Sequence, residues 1–534
     1  MKDRRMWIEI VILILVFIVG VICWMILVKE SIPKAGNPYA DGIGDGGFSV
    51  PASPMPSAEP GFYDHPFHLE LTSAPGTTVY YTTDGSIPDE SSMRYTEPIY
   101  IYDRSPEDNI YRSIPNTSLD WFNDPIDTTP VEKGYVIRAV AISDMTGNLS
   151  ETVTATYFVG RGNQTGRSVV SLVADPPDLF GDDGIYVTGA EYDEWYGGDQ
   201  EGDAPAANFE VHGLECPASF EFYRDGVRVT DQKVGIRVRG HSNRDHKIKQ
   251  FSVYSRKQYG TGKVFDYEFF EDKKTHSVAL RWGFENAVMM YLGEGRDVSY
   301  FQSFPVDVFL NGEYWYSCYL QEKCSETFFR DLYGVRGAEI FKASFPQEIL
   351  DYVEREDMSD PDVYSQVCDM IDMQSYIDYS CINVYIANSD YCIETSDNSV
   401  CWRSSVTGDS PYDDGRLRWC LYDLDRCADN CRAEWGLTET TDAQLDSFNI
   451  MLDWAPSVHD SLLFSNFKEN PDFCRQYVNT FMDMVNTTFT VEHMSELLTE
   501  WGRDISFDDN FFADRAGYIT GYLEQEFGIT GSKE

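Results

Sequence analysis

Two hydrophobic periods divide this chain, and their order constrains its fold more than any other feature. From residue 59 to about 160, short β-like runs alternate with turn chemistry: Phe67 to Thr72, Thr77 to Thr83, Pro98 to Tyr102, Tyr135 to Ser143 and Thr152 to Val159. Such runs predict an all-β sandwich over residues 59–162, with 103–133 as a long inserted loop. From about residue 165 the β-like segments give way to a helix-rich half, with amphipathic stretches from Asp351 to Asn388 and from Pro471 to Asp504. A β-rich lobe followed by a helical one predicts a bilobal α+β domain over residues 163–530.

The N-terminus adds a topological expectation. Ile10 to Val28 is an apolar run of 19 residues preceded by Lys2, Arg4 and Arg5. That length can cross a bilayer, and the basic flank places the N-terminus inside. Residues 1–30 therefore read as a cytoplasmic N-terminus and transmembrane helix, and 31–58, rich in Gly, Pro, Ser and Ala, as a flexible linker. The expected localisation is the cell membrane, single-pass, with the bulk of the chain extracytoplasmic.

Charge narrows the partners. With 88 acids against 42 bases and a net charge of -46, the bulk surface excludes nucleic acid as a partner. Residues 231–263 break that pattern, carrying nine Lys and Arg against two acids. The alternating runs Val234 to Arg239 and Phe251 to Ser255 predict a hairpin whose turn holds Gly240, Ser242, Asn243 and Arg244, with Lys249 at the start of the return strand. Cations around a Gly-containing turn suit a phosphate; a solvated basic hairpin is the plainer alternative. Five cysteines, Cys392, Cys401, Cys420, Cys427 and Cys431, crowd into forty residues, as disulfides, as reduced core thiols or, with weakest support, as a zinc site.

Two resemblances follow from longer stretches. VYYTTDGSIPDESSMRYTEPIYI and YVIRAVAISDMTGNLSETVTATYFV resemble the chitobiase C-terminal-like β-sandwich, which accompanies carbohydrate-active proteins and makes polysaccharide a candidate ligand. GIRVRGHSNRDHKIKQFSVYSRKQYG, VDVFLNGEYWYSCYLQEKCSETFFRDLYGV, MQSYIDYSCINVYIANSDY, SVCWR, RLRWCLYDLD and NPDFCRQYVNTFMDMVNTTF stand in the order of the CotH family, the spore-coat protein H-like atypical kinases. The resemblance implies transfer of the ATP γ-phosphoryl group, with Mg²⁺, to Ser or Thr of a secreted, surface or spore-coat protein. It implies a cofactor site of Arg239, Gly240, Ser242, Arg244, Lys249 and Glu322, with Lys249 paired to Glu322 as in ordinary kinases. Asp390 matches the catalytic aspartate, and Asn398, Asp423 and Asp425 match the metal ligands. The chain departs from the family at Asn243, Gln321 and Arg426-Cys427, and in the wider spacing of Asp390 and Asn398. Those departures sustain an alternative, a non-catalytic surface scaffold or carbohydrate-binding protein with a degenerate kinase-like fold.

Overall fold

The computed structural model describes residues 50–120, 125–161, 167–260, 262–271, 273–342, 344–388, 398–427, 442–449, 461–500 and 511–528. The early β runs form where alternation predicts them. Thr77–Thr82, Tyr135–Ser143 and Val153–Val159 pair antiparallel, and Gly61–Tyr63 joins Val153–Val159 in parallel. Ile137, Ala139, Ala141, Ala155 and Tyr157 turn inward from these strands onto Leu69 and Ile101. Their period of two makes one face of the sheet apolar.

The next seven strands close on themselves. Around the ring run Ser168–Ala174, Cys216–Arg224, Val227–Arg239, Gln250–Tyr254, Ser277–Arg281, Glu313–Glu322 and Ser303–Leu310. The last returns to the first in parallel, and the other neighbours are antiparallel. Leu172, Phe220, Ile236, Phe251, Leu280, Leu320 and Val308 are fully buried in one cluster. Burying a side chain of this size stabilises by ~1.5–3 kcal/mol relative to leaving it exposed. Closure also removes free strand edges.

The sandwich and barrel share a surface. Their sheets meet at Val227 beside Gly61. Glu313, on a barrel strand, accepts the backbone N–H groups of Ile110, Tyr111 and Arg112 from the inserted loop. The Arg112 guanidinium donates back to Trp315 O at 2.8 Å. The insertion is thereby fastened to the barrel by groups some two hundred residues away in sequence.

The helical part surrounds a sheet of Ala338–Lys342, Val400–Ser404 and Arg418–Cys420. The stretch expected as one amphipathic run is three helices, Gln347–Arg355, Pro361–Met370 and Met373–Tyr385. Asp360 and Asp372 cap the second and third, and Pro361 starts the second because a first turn needs no N–H partner there. The third is buried on all sides. Helix Phe511–Phe527 packs behind it and sends Arg515 into the core, where the guanidinium donates to the carbonyls of Val384, Tyr385, Ala443 and Leu445.

Two expectations are corrected. No described helix is long and apolar enough to cross a membrane, which is the finding against a transmembrane helix in the fold and against the single-pass localisation. The run behind both, residues 10–28, lies outside the described residues. In place of a separate sandwich followed by a bilobal domain, the described residues form a continuous sandwich-and-barrel part and then an α+β part. The cause is strand closure, which local periodicity does not encode.

Candidate functional site

Val227–Arg239 and Gln250–Tyr254 form the expected hairpin, with Arg239 opposite Gln250. Gly240 follows at φ +107°, where a Cβ would stand 3.0 Å from that of Asn243, so the turn requires glycine. Ser242–Asp245 then makes a 3₁₀ turn; the Ser242 side chain lies outside the described residues. Arg244 folds back on the turn, its Nε donating to Gly240 O at 2.7 Å and its Nη1 to Phe209 O and Glu210 O at 3.1 Å. It shapes the loop.

Lys249 differs most from expectation. Its side chain is fully buried, and its ammonium donates to Thr117 O, Arg244 O and His246 O at 2.5–2.6 Å. The nitrogen sits 3.7 Å from the Phe209 ring centroid. Three donors with three carbonyl acceptors leave none for Glu322, so the expected Lys249–Glu322 pair is corrected. Burial pushes the Lys249 pKa down to about 7, opposed by Asp245 and Glu210; the three carbonyls, which need its protons, also favour the charged form. Glu322 instead accepts Gln302 N at 2.9 Å and pairs with Lys273 at 3.4 Å. Burial raises its pKa against the pull of Lys273.

A different set of cations meets the carboxylates. Arg281, at the end of Ser277–Arg281, is almost wholly buried and pairs with Asp423 and, at 3.3 Å, with Asp425. Burial pushes the Asp423 pKa up, but Arg281 outweighs it and holds the group low. Asp425 is raised, by burial and then by the charge of Asp423. Asp423 lies past the strand end in left-handed backbone, φ +58°. A cavity of about 200 Å³ opens beside this cluster, lined by Arg239, Arg281, Lys323 and Lys342 with Glu322 and Tyr422. Lys342 donates to the Tyr422 hydroxyl at 2.9 Å.

Val400 pairs with Cys420, so Asn398, two residues before Val400, stands at the sheet end that carries Tyr422 and Asp423. Asp390 lies outside the described residues. The structure therefore lines one cavity with Arg239 and Glu322, joins Asp423 and Asp425 to it through Arg281, places Asn398 at the sheet end that carries Asp423 and withdraws Lys249 and Arg244 into the loop. Sequence reasoning missed Arg281, Lys323 and Lys342. The signal available for Arg281 was a basic residue closing the alternating run Ser277–Arg281.

Residues 342–508 match the family model described as CotH kinase protein, and residues 69–157 the one described as Fn3 associated. The chain is CotH-like. The CotH match spans Asp390, Asn398, Asp423 and Asp425, and stops short of the barrel that supplies Arg239, Arg281 and Glu322. The second match falls on the sandwich. No curated protein sequence matches the chain. The CotH match points to a kinase-like function. The donors suit the cofactors this implies: Asp423 and Asp425 are hard oxygen ligands of the kind Mg²⁺ takes, and the cations suit phosphate oxygens. At about 200 Å³ the cavity has room for the phosphates rather than a whole nucleotide, since sites for drug-sized ligands run ~300–1,000 Å³. Among the described residues, no group of three or more His, Cys, Asp or Glu could hold a metal. Cys216, Cys318, Cys324, Cys368, Cys381, Cys420 and Cys474 are thiols, and Cys392 and Cys431 of the cysteine-rich stretch lie outside the described residues.

Proposed function

We propose that this CotH-like protein transfers the γ-phosphoryl group of ATP, with Mg²⁺, to a Ser or Thr hydroxyl of a protein. The observation that carries the reading is the convergence of four cations, Arg239, Arg281, Lys323 and Lys342, beside the carboxylates of Asp423 and Asp425. Phosphoryl transfer is chiefly positioning and charge neutralisation, and this cluster has both signs of charge in adjacent places. Asp423 and Asp425, with Asn398 as a neutral third ligand, would hold Mg²⁺, which supplies charge neutralisation at the phosphates. Arg281, now paired with both carboxylates, would bind phosphate oxygens if they held a cation. Arg239, Lys323 and Lys342 bind the remaining phosphate charge. Arg244 and Lys249 keep the Gly240 turn in shape, and Asp390 accepts the proton of the acceptor hydroxyl.

One observation favours the scaffold alternative: Arg281 already pairs with both carboxylates. Thermal unfolding of the full chain under Mg-ATP separates the readings. A ligand at 100 times its Kd stabilises the native state by ~2.7 kcal/mol. The expected result is a rise in Tm that Asp425→Asn abolishes without altering the apo Tm. No rise at millimolar Mg-ATP in the parent protein refutes the phosphotransferase reading.

A further inference from the structure

A second and larger cavity, about 530 Å³, shares Glu322 and Lys323 with the first and lies between the segment 273–277 and helix Glu326–Tyr333. Lys273 is matched by Glu322 at 3.4 Å, and the His276 ring meets Asp331 at 3.0 Å. Lys274, Lys323 and Arg330 also line it, and no described carboxylate lies within 4.0 Å of their charged nitrogens. In a chain with 88 acids to 42 bases, three cations facing one cavity with no described carboxylate paired to them is the reverse of what composition favours. Phe328 and Leu332, one helical turn apart, give the same cavity an apolar wall.

We infer that this cavity docks an acidic peptide segment, its carboxylates on Lys274, Lys323 and Arg330 and an apolar side chain on Phe328 and Leu332. The volume falls within the ~300–1,000 Å³ range of sites that enclose a compact ligand, and the mixture of dispersed cations with an apolar wall suits a peptide better than a lone inorganic anion. The phosphates of a nucleotide suit the first cavity instead, because the carboxylates here, Glu322 and Asp331, are already engaged by Lys273 and His276. A long polyanion is disfavoured, since the surrounding surface of a chain with net charge -46 repels whatever extends past the local cations. Attraction at the cavity acts over about 8 Å at physiological salt, the length of a few residues. On the phosphotransferase reading above, the docked segment belongs to the protein substrate, and Lys323, which faces both cavities, joins docking to the phosphate site.

The test is fluorescence anisotropy on the full chain without nucleotide, using a labelled peptide of Glu residues around one Leu, its Gln analogue and a short RNA. The Glu peptide is expected to bind, and more weakly as salt rises. The Gln analogue and the double charge reversal Lys274→Glu with Arg330→Glu should each weaken binding at least ~10-fold, about 1.4 kcal/mol. The double variant should keep the parent Tm and its Mg-ATP response; if it does not fold, Lys274→Gln alone should weaken the Glu peptide by a smaller factor at the parent Tm. Equal binding of the Gln analogue, insensitivity to these substitutions, tighter binding of RNA through the same residues, or full displacement of the peptide by Mg-ATP would each overturn the proposal. Peptide binding without an Mg-ATP response leaves docking standing and removes the phosphotransferase reading; an Mg-ATP response without peptide binding does the reverse.

Discussion

Replacing Lys249 with Met asks whether this lysine holds phosphate or holds the loop. Met nearly matches its length and removes three charged hydrogen bonds, to Thr117 O, Arg244 O and His246 O, in a site with no solvent exposure. A buried polar group left unsatisfied costs ~1–3 kcal/mol, and a lost cation–ring contact of the kind made with Phe209 costs ~0.5–2 kcal/mol. Against this, Met has no charge to desolvate, and Arg244 and His246 lie close enough to the surface for water to reach their carbonyls. The net expectation is ~3 kcal/mol, confined to the turn and to the insertion segment around Thr117. Because the chain has several folded parts, a single global unfolding energy is a poor readout. Native-state hydrogen exchange is better: a ~3 kcal/mol loss speeds opening of the amides of residues 241–249 by ~10²-fold. Exchange and Tm within ~0.5 kcal/mol of the parent, together with loss of Mg-ATP binding, would refute the reasoning and return Lys249 to the phosphates.

Gly240→Ala forces a Cβ to 3.0 Å from that of Asn243 in a left-handed turn, and should cost ~1–3 kcal/mol, read as faster exchange of the same amides with the barrel strands unchanged. Asp414 is pushed up by burial but held well below the usual carboxylate range by Arg418 and Arg416. A lowered carboxylate stabilises fully above its unfolded pKa of ~3.9 and loses that contribution as pH falls through the folded value. Asp414→Asn should therefore lower Tm at pH 7, with the gap closing below about pH 4; a gap independent of pH would show that the effect is not ionic.

Much of the hairpin and sandwich was legible because strand alternation and Gly turns are local signals. Tyr135–Ser143 forms where the period of two predicts it, and Gly240 takes the positive φ that only glycine adopts without strain. Asp423 and Asp425 stood out in the sequence as a carboxylate pair, although their reach to Arg281 comes from a left-handed residue past the strand end. What escaped was long-range. Thr117, the partner that takes Lys249 away from Glu322, is 132 residues distant. Barrel closure depends on pairing Ser168 with Val306 in parallel, and neither strand's own pattern names the other. Arg281 could not be ranked above other basic residues until the fold set it between two carboxylates.

The hydrogen bonds of Arg515 have a consequence for synthesis. The carbonyls of Val384 and Tyr385, at the end of the buried helix that leads toward Asp390, are met by a guanidinium 130 to 131 residues later. At translation rates of ~5–20 residues per second, those carbonyls emerge ~7–26 s before their partner. The barrel can close while the ribosome is still working, but the end of this buried helix lacks the partner of its last carbonyls until the final helix arrives. A partly made protein thus carries a folded barrel before its helical part is complete.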